Sequence, residues 1–427
     1  MAENRRVTDW TSELMQADYQ KTVLESGIRI VTERIPYVRS VSIGAWLITG
    51  SRDEQAQNNG ISHFIEHMLF KGTEHRSAAE IAQSLESVGG QLNAFTGKEQ
   101  TCYYAHVLDE HLPLAVDVLA DILKNSVFDP TEMEKEKRVI LEELNAIEET
   151  PEELIHELFV QDLFPAHPLG FSIIGKRENI GAFRREDIFG YLNENYSANR
   201  LVVAAAGNVD HQQLVKLVEK HFDRFGAVSE HRYVPPTAPV AGKNVVEDGA
   251  LQAHVCVGTQ SYSYRNEKKF GLLVLNTLLG AGMSSRLFQN VREKYGLAYS
   301  VYSFLDYLWD TGIFGIYVGT DREKIDNTVE LVTKELDHLR REPVSEDELE
   351  RTKSQLKGNL MLGLESTASR MNRVAKMEIY LEEYFTLDDT IREIEQVTSQ
   401  DIMEIANELF VPERLYVTIL TPRNDKK

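Results

Sequence analysis

Short apolar or alternating runs in the first part of the chain predict strands at 41–46, 93–96 and 102–107. Between the first two lies a helical pattern, and a long helix is expected from Pro113. A further helix spans 131–150, and another spans 212–225. The segment 229–243 contains Pro235, Pro236 and Pro239 and has no helical period, so it reads as a linker. After it the order repeats. A strand is expected at 253–258, a helix at 269–279, strands at 299–305 and 312–318, and a helix from about Arg322. Thr131-Glu132-Met133-Glu134 and Ser345-Glu346-Asp347-Glu348 read as capping boxes at equivalent places. Such matching order predicts an internal duplication. The expected fold class is α+β, with two homologous sandwich domains at 1–228 and 244–427. Each is a mixed, largely antiparallel sheet backed by helices. No G-x-G-x-x-G follows a strand, which argues against dinucleotide binding.

Composition narrows the setting. The 427 residues are 42% hydrophobic and 26% charged, as in a soluble globular protein. No run of about 18 apolar residues predicts a membrane span. Met1-Ala2-Glu3-Asn4-Arg5-Arg6 leads into polar sequence and lacks the apolar stretch of a secretory signal. Cys102 and Cys256 each sit in a strand-like run and read as buried, reduced thiols. A bacterial-type cytoplasm is the expected setting; a mature organellar matrix protein would look the same. The net charge of −21 argues against nucleic acid and for attraction of basic ligands.

The chemistry lies in Gly60-Ile61-Ser62-His63-Phe64-Ile65-Glu66-His67-Met68, which contains H-x-x-E-H. On a helix, His63 and His67 are four residues apart and project from one face toward a common ion. Glu66 lies on the same side and is placed to handle a water rather than to ligate. The order reverses the commoner H-E-x-x-H and is the inverzincin pattern, which points to zinc-dependent hydrolysis. Only His254 and His338 of the twelve histidines lie beyond the linker, so metal chemistry is expected in the first half alone.

A third ligand is needed. Glu136, Ile140, Glu143 and Ile147 share one stripe of the acidic helix, and its isoleucines predict that it faces something buried. A buried carboxylate requires a cation or hydrogen-bond donor. Spacing leaves both Glu136 and Glu143 open.

With these motifs in place, the chain resembles the M16 (pitrilysin-type) metallopeptidases, in the short-chain group related to the mitochondrial processing peptidase. The resemblance runs from about Leu24 to Leu420. It implies one Zn²⁺ per chain held by His63, His67 and Glu143, which stands 76 positions after His67. Glu142 replaces the arginine usual in the family before that ligand. Glu136, one heptad earlier, is implied to support the site. The resemblance makes Gly89-Gly90-Gln91-Leu92-Asn93-Ala94-Phe95-Thr96 an edge strand that pairs with extended substrate, with Asn93, Ala94 and Phe95 near the scissile bond. Phe70 corresponds to an aromatic beside the residue after the cut. Glu153 and Glu157 correspond to acidic positions that read an upstream arginine; an ordinary exposed acidic face competes with that reading. In the second half, Arg292 and Tyr299 correspond to a pair that holds substrate carbonyls and the oxyanion. Their presence beside the zinc motif in one chain implies a homodimer in which each zinc half faces the partner's Arg-Tyr half.

The reading is therefore a zinc endopeptidase acting on peptides or unfolded segments, with Glu66 as general base. A non-catalytic scaffold of the same fold, or a peptide-binding subunit, is the rival. Retention of the ligands and Glu66 weighs against it.

Overall fold

The computed structural model describes residues 18–223, 225–226 and 233–423. The N-terminal residues read for a signal, and 229–232 of the linker, lie outside them. The first part runs β1 (Asp18–Val23), β2 (Arg29–Arg34), β3 (Ser40–Leu47), α1 (Ile61–Leu69), α2 (Ala78–Glu86), β4 (Gln91–Thr96), β5 (Thr101–Leu108) and α3 (Leu112–Asn125). It continues with α4 (Pro130–Glu149), α5 (Pro151–Leu163), α6 (Arg177–Ala182), α7 (Arg185–Asn195), β6 (Leu201–Gly207) and α8 (His211–His221). The second part runs β7 (Gly242–Asp248), β8 (Ala253–Ser261), α9 (Lys269–Gly280), a π-helical segment Phe288–Lys294, β9 (Ala298–Tyr307) and β10 (Gly312–Thr320). Then come α10 (Ile325–Arg341), α11 (Glu346–Gly363), α12 (Thr367–Tyr380), α13 (Leu387–Gln396), α14 (Ser399–Leu409) and β11 (Tyr416–Pro422).

The strands form two mixed sheets, ordered β1-β2-β6-β3-β5-β4 and β7-β11-β8-β10-β9. The parallel pair is β2/β6 in the first and β7/β11 in the second; the other pairs are antiparallel. From β2 onward the two orders match strand for strand, so the duplication read in the sequence is a duplication of topology. β1 is an extra edge strand of the first sheet.

Apolar residues on both faces of β3 and β6 predict a sheet covered on both sides, and both strands are buried nearly throughout. On one face, Phe64 and Ile65 of α1, Leu119 of α3 and Ile188 of α7 build the larger core. The other face is covered by α12 from the second part, with Met371, Val374 and Ala375 against Val31, Trp46, Val202 and Ala204. Gly44 of β3 is required here, since a Cβ would lie 2.7 Å from Trp46 Nε1 and 3.2 Å from Met371 Sδ. Reciprocally, α5 lays Ile155 and Phe159 on Cys256, Ile313, Tyr317 and Leu420 of the second sheet. The two parts thus exchange helices, and neither sheet is covered by its own segment alone. Both cysteines are free and buried within these layers.

The β4–β5 turn is also tied to the second part. Glu99 accepts bonds from Arg52 Nη1 at 2.5 Å, the Trp309 N–H at 3.0 Å and the Tyr380 hydroxyl at 3.0 Å. Arg52 reaches Asp310 at 2.7 Å.

Several local expectations change. Thr131 does not cap its helix. Pro130 fixes the first turn one residue earlier, and Asp129 accepts the Thr131 and Glu132 N–H groups at 2.8 and 3.2 Å. Glu134 pairs instead with Lys137 at 2.7 Å. Ser345 caps α11, but Glu348 does not answer it: Arg286 takes that carboxylate in two bonds of 2.8 and 2.7 Å. The helix expected at 212–225 is α8, started by Asp210, whose carboxylate accepts the Gln213 N–H, and finished at His221.

Candidate metal centre

The histidine helix is held at its start by glycine and by a buried carboxylate. Gly60, the residue before α1, has φ of +100°, and a Cβ there would lie 2.7 Å from Ile174 O. Glu54 accepts the Gly60 and Ser62 N–H groups and Asn59 Nδ2 at 2.8–2.9 Å. This places a carboxylate on the positive end of the helix. Glu54 comes from the preceding loop, and no period or spacing marks it in the sequence.

From α1 the two histidines converge, with ring centroids 4.6 Å apart. His63 Nε2 lies 3.7 Å from Glu143 Oε1, and His67 Nε2 lies 3.6 Å from Glu143 Oε2. Of the two glutamates left open by spacing, Glu143 is therefore the one that faces both rings. The glutamates differ in environment. Glu136 is buried; Glu143 is 45% exposed in its side chain, unlike the buried stripe expected.

Glu136 instead meets the far side of a histidine. His67 Nδ1 lies 2.9 Å from Glu136 Oε1, and Lys71 Nζ lies 2.7 Å from Glu136 Oε2. Burial pushes the Glu136 carboxyl up, but the bonds to His67 and Lys71 outweigh it and hold it below the usual range. No sequence motif marks Lys71, though it stands four residues after His67. The helix ends at Leu69, so the signal is only spacing.

Glu66 turns toward the edge strand, where its Oε2 accepts the Thr96 hydroxyl at 2.5 Å. Burial raises its carboxyl, with the Thr96 bond opposing. Burial, helped by the charge of His67, pushes the His63 imidazole down to about 3, so the ring is neutral across the ordinary pH range. His63 Nδ1 is buried without a partner among the described residues, so packing orients this ring.

The fit to a metal can be tested on these distances. One donor atom from each of His63, His67 and Glu143 lies within 4.8 Å of the others. Bonds of about 2.0–2.1 Å in a tetrahedral site put donors roughly 3.3 Å apart; His63 and His67 each lie a little beyond that from one carboxylate oxygen of Glu143, at 3.7 Å to Oε1 and 3.6 Å to Oε2. Two imidazole nitrogens and a carboxylate are a donor set suited to zinc. The residues fit.

The other predicted positions surround or stand apart from this centre. Among the described residues β4 pairs only with β5, so its outer edge is open to another strand. Asn93 Oδ1 accepts the Ala94 N–H at 2.8 Å, while Phe95 packs edge-on against Trp46 at 5.4 Å. Phe70 and Asn93 line one cavity of about 350 Å³ with Ile81, Leu92 and Tyr104. Glu153 and Glu157 lie on α5; Glu153 is exposed, and Glu157 borders another cavity of about 530 Å³. Burial pushes the Lys98 ammonium down, and Glu157 is foremost among the charges opposing this, so Glu157 already has a cationic neighbour. Arg292 and Tyr299 are together, with the guanidinium 5.3 Å from the ring centroid. Tyr299 is 81% exposed, and among the described residues no hydrogen bond or ion pair joins either one to the histidine cluster.

The chain matches two family models. Residues 29–177 match "Insulinase (Peptidase family M16)", and 182–356 match "Peptidase M16 inactive domain". An uncharacterized zinc protease of Bacillus subtilis, YmxG, is 43% identical over 90% of this chain and 94% of its own length. Another from Streptomyces coelicolor is 40% identical over 96% of this chain and 90% of its own length. A Helicobacter pylori protease of known crystal structure superposes with a TM-score of 0.89 at 23% identity, covering 95% of this chain and all of that one.

Proposed function

This chain belongs to peptidase family M16, and from that premise we propose that it is a zinc endopeptidase for extended peptides. The observation that carries the reading is the convergence of His63, His67 and Glu143 with Glu66 beside them. Those three residues would hold one zinc ion per chain. Bound there, zinc supplies Lewis acidity toward a carbonyl and lowers the pKa of a coordinated water. Glu66 acts as general base, taking a proton from the attacking water and delivering it to the leaving amine. Burial fits it for that work by raising its carboxyl toward the operating pH.

Substrate lies along the open edge of β4, with its backbone bonded beside Asn93, Ala94 and Phe95. The cavity beside Phe70 takes the side chain after the cut. Glu153 and Glu157 favour an upstream arginine, in keeping with the net charge of −21. Arg292 and Tyr299, which lie together, serve the site from a second copy of the chain. In this reading the protein is a homodimer of the bacterial cytoplasm, divided at 229–243 into a zinc domain and a metal-free domain. Among the described residues no helix is long and apolar enough to cross a membrane.

The test is cleavage of a quenched, arginine-containing peptide by zinc-quantified wild type and Glu66→Gln. The expected result is one zinc per chain in both and cleavage by wild type only, with loss of about 10²-fold or more. Full activity of Glu66→Gln, or a wild type that never retains metal, would overturn the reading.

A further inference from the structure

Away from the histidine cluster, a cavity of about 300 Å³ opens at the seam between the two parts, at the lower end of the size range for ligand pockets. Its walls come from α9, the end of α11, α12 and the start of α13. Leu273 and Leu360 pack against the second core, while Leu381 packs with the residues that cover the first sheet. A ligand here would touch elements that serve both sheets. The walls are mainly apolar, and cations stand among them.

Lys269 is the central one. Its ammonium lies 5.0, 5.1 and 5.6 Å from the ring centroids of Tyr264, Phe270 and Phe385. Among the described residues no carboxylate lies within ion-pair distance; Glu393 and Glu383 act on it only from farther away. Burial pushes this ammonium below its ordinary pKa. Lys376 also lines the cavity, but it is exposed and its charge already acts on the Asp306 carboxylate. Arg373, the third cation, is already engaged: it donates to Phe385 O at 2.5 Å and lies 4.0 Å from Glu33.

The chain has 67 acidic against 46 basic residues, so a half-buried lysine without an ion pair among the described residues is out of pattern at an apolar cleft. A buried or half-buried cation is normally matched by an anion. The rings around Lys269 match it only partly, since a cation over aromatic faces still gains from a carboxylate. The apolar walls call for a chain and Lys269 for a single anionic head.

We propose that this cavity binds an amphipathic carboxylate, an apolar chain of moderate length whose carboxylate is held by Lys269. The assignment does not depend on peptidase activity, and binding alone tests it.

The experiment is calorimetric titration of the zinc-loaded full chain with decanoate below its micelle concentration, alongside 1-decanol. One saturable decanoate site per chain is expected, with a rise in melting temperature and decanol roughly tenfold weaker or worse. Lys269→Met should weaken decanoate roughly tenfold and leave decanol unchanged. Leu273→Trp, or Ser369→Trp if the first fails to fold, should fill the cavity and abolish both. Absence of saturable decanoate binding by wild type would overturn the proposal. So would decanoate affinity unchanged by Lys269→Met or by the filling variant, or tighter binding of a short leucine-terminated peptide.

Discussion

His67 and Glu136 meet at 2.9 Å through Nδ1 and Oε1, and the opposite nitrogen of the same ring faces Glu143 at 3.6 Å. Glu136 is held ionised, so it can only accept, and His67 Nδ1 is the donor; in the neutral ring this leaves Nε2 as the nitrogen able to ligate. Glu136→Ala should weaken zinc binding by about 10–100-fold, the usual effect of losing a carboxylate behind a ligating histidine. Competition with a chelator measures this. An unchanged affinity would mean that packing alone orients the ring.

Acid should loosen the contact between α5 and the second sheet. His156 Nε2 bonds the Tyr302 hydroxyl at 3.0 Å, and His254 Nδ1 bonds the Tyr317 hydroxyl at 2.8 Å. Burial lowers both imidazoles, with nearby glutamates opposing, so both are neutral in the fold more readily than in the unfolded chain. Their contribution is intact above the unfolded value near 6.5. It is lost as pH falls below that, because the unfolded chain then takes up protons that the folded one refuses. Each group contributes less than ~1.4 kcal/mol per pH unit. Urea unfolding of wild type at pH 7.5 and 5.5 should show the drop, and His254→Gln should reduce it. A drop of equal size in the variant would remove His254 from the account.

The sequence carried much of this because its signals are local. The strand runs, the order of elements and the four-residue spacing of His63 and His67 are all set within a few neighbours in the chain. Glu143 could not be separated from Glu136 by periodicity, because both lie on one stripe; what separates them is which end of a distant imidazole each meets. The exchange of α5 and α12 between sheets was not legible for the same reason. Ile155, Phe159, Met371 and Val374 announce an apolar helix face but not the sheet that receives it. The Thr131 box failed because Asp129 and Pro130, just upstream, form a stronger start.

Glu54 should matter to the metal centre although it touches no ligand. Its carboxylate satisfies two of the N–H groups at the start of α1, and its removal leaves them buried and unpaired. Glu54→Ala should cost about 1–3 kcal/mol for each bond left unmade. It should also lower zinc affinity, because α1 is then no longer fixed where His63 and His67 converge. Denaturant unfolding of the zinc-free protein and chelator competition separate the two effects. Lost stability with unchanged affinity would make Glu54 a fold residue only.

The seam at Arg52 offers a sharper test of how the edge strand is held. Arg52 is almost fully buried and lies between Glu99 at 2.5 Å and Asp310 at 2.7 Å. Glu99 belongs to the turn that joins β4 to β5, and its other donors, Trp309 and Tyr380, come from the second part. Removing the cation leaves a buried carboxylate without its counter-charge, so Arg52→Met should destabilise by about 3–5 kcal/mol. Glu99→Gln in the Arg52→Met background removes that charge and should restore part of the loss. The non-additive term of the double-mutant cycle reads the coupling directly. If the two substitutions simply add, the Arg52–Glu99 pair does not fix the turn, and the position of β4 must rest on its pairing with β5 and the packing of Phe95 on Trp46.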